Sequence, residues 1–208
     1  HDIAMSPDCR YFIDSWSSLS VPRVTYLCTA DGKPTRHLLT AEDPTLDYAY
    51  TEISLGTVRS ADGKYDNYYR LIKPLDFDPQ KKYPVLLTQY SGPGSQEIAN
   101  RWTADWEETL ARNGYIVASC DARGTGYRGE EFKKVTYANL GYAEVQDQIS
   151  FARHLGRQSF VDASRIGIYG WSYGGFMALN CALHGEGLFK MAIAVAPVTS
   201  WRYYDTIY

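Results

Sequence analysis

Arg165-Ile166-Gly167-Ile168-Tyr169-Gly170-Trp171-Ser172-Tyr173-Gly174-Gly175 joins an apolar strand-like run to a G-x-S-x-G turn, and Phe176 to Leu183 continues in helix-forming residues. A strand that passes straight into a helix through a serine flanked by glycines is a nucleophile elbow. The turn brings backbone so close to backbone on both sides of the serine that a side chain there would collide, and the hydroxyl is left standing at the carboxyl end of the strand. Ser172 is therefore the candidate catalytic nucleophile. The plainer alternative is a structural serine in a glycine-rich turn.

Working outward, the segments on either side of this stretch alternate strand and helix. Tyr83 to Gln89 and Tyr115 to Cys120 read as buried strands, with a helix over Trp102 to Asn113 between them that Gly114 stops. Gly141 to His154 reads as a helix, Arg165 to Tyr169 as the strand before the elbow, Gly174 to His184 as the helix after it, and Met191 to Val195 as a further strand. Upstream, Ile53 to Ser60 and Tyr65 to Lys73 bracket Ala61-Asp62-Gly63-Lys64 as an antiparallel hairpin. The expected class is α/β: an α/β-hydrolase fold, partial and without its C-terminal strands, over 46–208. Residues 1–45 read differently. Tyr11 to Ser15, Arg23 to Thr29 and Thr35 to Thr40 form a meander. Ser6-Pro7-Asp8 ahead of Cys9-Arg10-Tyr11-Phe12 has the form of the entry into a β-propeller blade, with Cys9 where glycine is usual. This segment is expected to be the remnant of the last blade or blades, with Glu42 to Asp47 as a short polar linker.

Composition narrows the function classes. With 208 residues, 45% hydrophobic and 14% aromatic, the chain can bury a sizeable core. A net charge of −3, with no basic cluster denser than Lys81-Lys82 or Lys133-Lys134, argues against nucleic acid as a partner. No apolar run approaches the roughly 18 residues of a membrane-spanning helix, and the opening His1-Asp2-Ile3 carries no signal-peptide pattern. Cys9, Cys28, Cys120 and Cys181 are scattered, with no C-x-x-C and no Cys/His cluster, so neither a metal nor a dense disulfide framework is expected. A Cys9–Cys28 pair on neighbouring strands stays open.

A serine needs a base. Of the four histidines, His184 lies twelve residues past Ser172 on the same helix, roughly 18 Å away at 1.5 Å per residue, and His1, His37 and His154 sit in other elements. An α/β-hydrolase places its acid and its histidine after the nucleophile, further along the chain. Both are expected beyond Tyr208. The oxyanion donors are better represented: the N–H of Tyr173 follows the nucleophile, and Tyr90 ends the strand that opens into Ser91-Gly92-Pro93-Gly94. Tyr90 is either a phenolic donor or a packing residue. The loop Cys120-Asp121-Ala122-Arg123-Gly124-Thr125-Gly126 lacks the spacing of a phosphate cradle and reads as a tightly turned neighbour of the site. Trp201, Tyr203, Tyr204 and Tyr208 either line a pocket for a small apolar side chain or pack a helix.

Five stretches carry a resemblance to a known family: QYSGPGSQ (89–96), DARGTGYRGEEF (121–132), LGYAEVQDQ (140–148), GWSYGGF (170–176) and AVAPVTSWRYYDTIY (194–208). Together they resemble the prolyl oligopeptidase family of serine peptidases, in its dipeptidyl peptidase branch. The resemblance implies release of N-terminal dipeptides with a penultimate proline or alanine, through an acyl-enzyme on Ser172. It implies oxyanion contacts from the Tyr90 hydroxyl and the Tyr173 N–H. Trp171, Val198, Trp201, Tyr204 and Tyr208, with the ring of Tyr173, are implied around the penultimate side chain. Ala122 departs from a glycine common in that loop. No cofactor is implied; the partners are peptide substrates and, for the full-length protein, a second copy as a homodimer. A secreted, periplasmic or membrane-anchored setting is favoured over a cytoplasmic one. The family's amino-terminus-binding glutamates match nothing in this chain. The fragment alone is expected to be inactive. The competing readings are a non-catalytic scaffold of the same fold and an esterase.

Overall fold

The computed structural model describes residues 1–206, apart from the side chains of 44 and 45. Two compact units are present, each described by itself. The first comprises His1–Tyr50 with Ala99–Asp105, and the second Thr51–Ile98 with Trp106–Tyr208.

The first unit is a four-stranded antiparallel meander of β1 (Asp2–Met5), β2 (Tyr11–Ser18), β3 (Val21–Thr29) and β4 (Pro34–Thr40), in that order across the sheet. β1 was not expected from the sequence; four residues without clear alternation give little signal, and Asp2↔Ser15 to Met5↔Phe12 pairing with β2 defines it. Ser6 and Asp8 shape the turn into β2. The Ser6 hydroxyl donates to Asp8 Oδ1 at 2.8 Å, and Tyr11 N–H donates to Ser6 Oγ at 3.1 Å. Cys9 sits in this turn at φ 56°, the left-handed region that a glycine occupies without strain. Val24 and Cys28 are buried, whereas Ile3, Met5, Ile13 and Leu39 are exposed. All four cysteines carry free thiols, so the Cys9–Cys28 pair does not form.

The second unit holds a six-stranded sheet. Its strands are β5 (Ile53–Arg59), β6 (Asp66–Ile72), β7 (Tyr83–Thr88), β8 (Ile116–Cys120), β9 (Val161–Trp171) and β10 (Met191–Val195). The order is β10-β9-β7-β8-β6-β5, with β7, β8, β9 and β10 mutually parallel and the β5–β6 hairpin antiparallel at the far edge. Helices α1 (Trp106–Arg112), α2 (Glu130–Lys133), α3 (Ala143–Gly156) and α4 (Tyr173–His184) complete it. Alternate residues of the strands feed two faces. Val85, Leu87, Ile116, Ala118, Ile166 and Ile168 join Phe151 of α3 and Met177 of α4 in the main core. On the opposite face, Val117 and Ile72 meet Ala111 of α1. The α/β fold expected from the strand and helix alternation is the one observed.

One expected element starts later in the structure than in the sequence reading. The helix expected over Trp102 to Asn113 starts only at Trp106. Residues 99–105 join the first unit instead, where Asn100 Oδ1 accepts Leu19 N–H at 3.0 Å and Trp102 N–H donates to Ser17 Oγ at 3.3 Å. These are partners more than eighty residues away, invisible to local periodicity. The first unit's N-terminal segment ends at Tyr50.

Candidate active site

Chain order and strand order together place the site. The chain leaves β7 for β8 on one side, then crosses back over β7 to reach β9 on the other. In an open α/β sheet, such a reversal opens a crevice at the carboxyl ends of the two strands flanking it. Tyr90 follows β7 and Ser172 follows β9, so the candidate donor and the candidate nucleophile stand at the ends of adjacent parallel strands.

The elbow is as tight as its glycines suggest. Ser172 has φ 58° and ψ −114°, and its N–H donates to Val195 O at 2.9 Å, tying the turn to the end of β10. A Cβ on Gly170 would run into the carbonyl of Gly174. One on Gly174 would run into the Gln89 carbonyl and stand 3.1 Å from Tyr90 Cα. The start of α4 therefore passes against the backbone that carries Tyr90, and only glycine permits that approach. Ser172 is partly exposed. Tyr173 is the first residue of α4, so its backbone N–H lies at the positive end of the helix.

The aromatic residues form a linked set. The ring of Tyr173, 1% exposed, packs at 6.1 Å from that of Tyr90, 5.4 Å from Phe176 and 5.5 Å from Trp201; Trp201 in turn meets Tyr204 edge-on at 5.6 Å. The Tyr173 hydroxyl donates to Glu144 Oε1 at 2.6 Å. Val198 is partly exposed, and Trp171 points outward with 59% of its surface accessible. Tyr208 lies outside the described residues. Beside Trp201 an open hollow of about 900 Å³ is lined by Pro93, Lys133, Thr136, Tyr137 and Leu140.

Buried polar groups hold the loops around the elbow, and most of them went unread in the sequence. Gln89 Nε2 donates to Gly174 O at 2.9 Å, Ser91 Oγ donates to Gln89 Oε1 at 3.0 Å, and Gln148 Nε2 reaches both Ser91 Oγ at 3.0 Å and Cys120 O at 2.8 Å. Tyr90 N–H donates to Glu97 Oε2 at 2.9 Å. Asp121 accepts the N–H groups of Glu97 and Ile98 at 3.0 and 2.9 Å. Burial pushes the carboxyls of Glu97 and Asp121 above their ordinary range, and these amide donors only partly offset it. Asp147 Oδ1 accepts Ala61 N–H and Asp147 Oδ2 accepts the N–H of Arg123, whose guanidinium forks onto the same carboxylate at 2.8 to 3.2 Å and reaches Asp62 at 2.7 Å. The loop after β8 is laced to the Tyr90 loop by Gly94 N–H to Gly124 O and Gly126 N–H to Ser95 O. The one available signal was the run LGYAEVQDQ, whose polar residues at 144, 147 and 148 fall on one side of a helix.

The four histidines are engaged elsewhere. His1 pairs with Asp14, His37 with Thr40, and His154 lies by Phe151, Tyr69 and Gln158; His184 closes the far end of α4. Among the described residues no cluster of three or more His, Cys, Asp or Glu is placed to hold a metal ion.

Known proteins share this sequence and fold. Residues 102–208 match the model of the prolyl oligopeptidase family. The chain belongs to the prolyl oligopeptidase family. Among its curated members, a protein of Arthroderma otae named "probable dipeptidyl-aminopeptidase B" is 35% identical over the whole chain, which covers 23% of that protein. The Aspergillus terreus protein of the same name is 49% identical over 65% of the chain, covering 15% of its own length. Among solved structures, Porphyromonas gingivalis dipeptidyl peptidase 4 superposes with a TM-score of 0.94 at 43% identity, over 100% of this chain and 30% of its own. The chain thus spans under a third of the length of these relatives.

Proposed function

We propose that this chain forms part of a serine exopeptidase that releases N-terminal dipeptides with proline or alanine at the penultimate position. The observation that carries this reading is Ser172 in a strained elbow beside Tyr90 on the neighbouring strand, with the Tyr173–Trp201–Tyr204 rings adjoining. Ser172 Oγ attacks the carbonyl of the penultimate residue. The tetrahedral oxyanion faces the Tyr173 N–H and the Tyr90 hydroxyl, donors that gain most when charge develops. Collapse expels the amine of the remaining peptide, and water then releases the dipeptide from the acyl-enzyme. Val198, Trp201 and Tyr204 surround the penultimate side chain, with Trp171 at the mouth.

The general base and its orienting acid, and the carboxylates that grip the substrate's amino group, come from sequence outside this chain. Residues 1–45 belong to the last blade or blades of a β-propeller and 46–208 to the peptidase domain. The exposed Ile3, Met5, Ile13 and Leu39 of the meander suit a sheet that packs on further blades.

The test is labelling by a fluorophosphonate together with turnover of a Gly-Pro chromogenic amide. The intact protein is expected to do both, Ser172→Ala to do neither, and the isolated 208-residue chain to do neither. An intact protein that binds partners yet neither labels nor cleaves sinks the reading in favour of a non-catalytic scaffold.

A further inference from the structure

Glu144 sits in the first turn of α3 with no accessible surface. One carboxyl oxygen, Oε1, accepts the Tyr173 hydroxyl at 2.6 Å and the Gly141 N–H at 3.0 Å. The other, Oε2, is buried with no hydrogen-bond partner among the described residues. An acidic side chain buried with half its acceptor capacity unused is expensive, and a leucine or methionine would fill the same helix position without that cost. A buried polar atom left unsatisfied calls for a reason beyond packing.

The reason lies in what the carboxyl holds. Tyr173 is the ring that Tyr90, Phe176 and Trp201 all touch, and Trp201 carries Tyr204. Ring contacts alone leave an aromatic side chain room to tilt or slide. A short bond to its far end removes that room, because the phenol oxygen is fixed to a group rooted in a rigid helix. The anchor is itself held. Gln148 and Asp147 follow Glu144 on the inward side of α3 and bind Ser91 and Arg123.

We propose that Glu144 is a positioning residue that fixes the Tyr173 ring and thereby sets the depth of the pocket for the penultimate side chain, favouring proline over alanine. This inference rests on the dipeptidyl peptidase reading. Neither Glu144 nor the Tyr173 phenol touches the reacting atoms, so the effect falls on discrimination between substrates. A shallow shape difference of this kind is expected to move selectivity about tenfold, the scale of a methylene-sized change in an apolar pocket.

The experiment compares Gly-Pro and Gly-Ala chromogenic amides on the intact protein, with active sites counted by fluorophosphonate titration. In Tyr173→Phe and Glu144→Met, the ratio of kcat/KM for the two substrates should fall about tenfold, chiefly through KM for the proline substrate. Glu144→Gln, which keeps an acceptor for the phenol, should recover most of that ratio. The double variant should be no worse than either single one, as expected of two residues acting through one bond. If Glu144→Met does not fold, Tyr173→Phe and Glu144→Gln decide. A ratio unchanged in Tyr173→Phe, or kcat falling in parallel for both substrates, overturns the inference and leaves Glu144 a structural residue. A wild type that neither labels nor cleaves removes the peptidase reading, and this inference falls with it.

Discussion

Ser172 holds φ 58° and ψ −114°, backbone angles that a residue bearing a Cβ adopts only when its surroundings compel it. The surroundings are the Val195 carbonyl and the two glycines that admit the turn. Removing the Cβ should relieve the strain. Ser172→Gly is expected to be more stable than Ser172→Ala by about 1–3 kcal/mol, read from denaturant unfolding, although both lack the nucleophile. Glu97 presents the reverse trade. Burial lifts its carboxyl above the ordinary 4.5, with Asp121 and Glu107 adding to the rise while Tyr90 N–H and Arg70 oppose it. The folded chain therefore binds that proton more tightly than the unfolded chain, and stability is lost as pH climbs through the raised value. Glu97→Gln keeps an acceptor for Tyr90 and escapes the loss. Its melting temperature should match wild type below pH 4.5 and exceed it at pH 7, in a thermal series across that window. Equal melting temperatures at pH 7 would contradict the sign argued here.

Among the elements, those read most accurately from sequence were the ones whose pattern is short-range. β10 was placed to the residue, and β7 and β8 within one, because continuous apolar runs bounded by turn residues mark the strands of a parallel sheet. The elbow was legible for the same reason. Helix α1 was legible as a helix but not in where it starts, since Asn100 and Trp102 answer to partners in β2 and the turn after it. Its acidic residues mislead as well. Glu107 and Glu108 look like a solvent face yet are buried, Glu107 against Arg70 and Thr88, Glu108 against Thr51. The inward polar face of α3 was equally hidden, because polar residues gathered on one side of a helix read first as a solvated face. Asp147 gives the sharpest test at this scale. It is fully buried and joins Arg123, Ala61 and Asn67. Asp147→Asn, which removes the buried one of the guanidinium's two counter-charges and leaves Asp62 in place, should cost about 1.5–3 kcal/mol in denaturant unfolding of the intact protein. A loss under about 1 kcal/mol would reduce the pair to the worth of a surface ion pair.

Across the whole molecule, two surfaces set how the polypeptide behaves on its own. β10 forms one edge of the six-stranded sheet, with Met191 49% and Ile193 40% exposed, and apolar residues of the meander are exposed too. An open apolar edge strand is a template for pairing with another chain. The isolated 208-residue polypeptide is expected to self-associate in size-exclusion chromatography, and Ile193→Lys to shift it toward monomer. A monomeric wild type at high concentration would show that the edge is protected. α3 touches the elbow through Glu144, the loop after β8 through Asp147 and the Tyr90 loop through Gln148. It works as a common bracket for three segments that a designer would treat as separate modules. Loops exchanged one at a time between relatives will therefore inherit a mismatched fixture, and a transplant that succeeds will be one that carries this helix along.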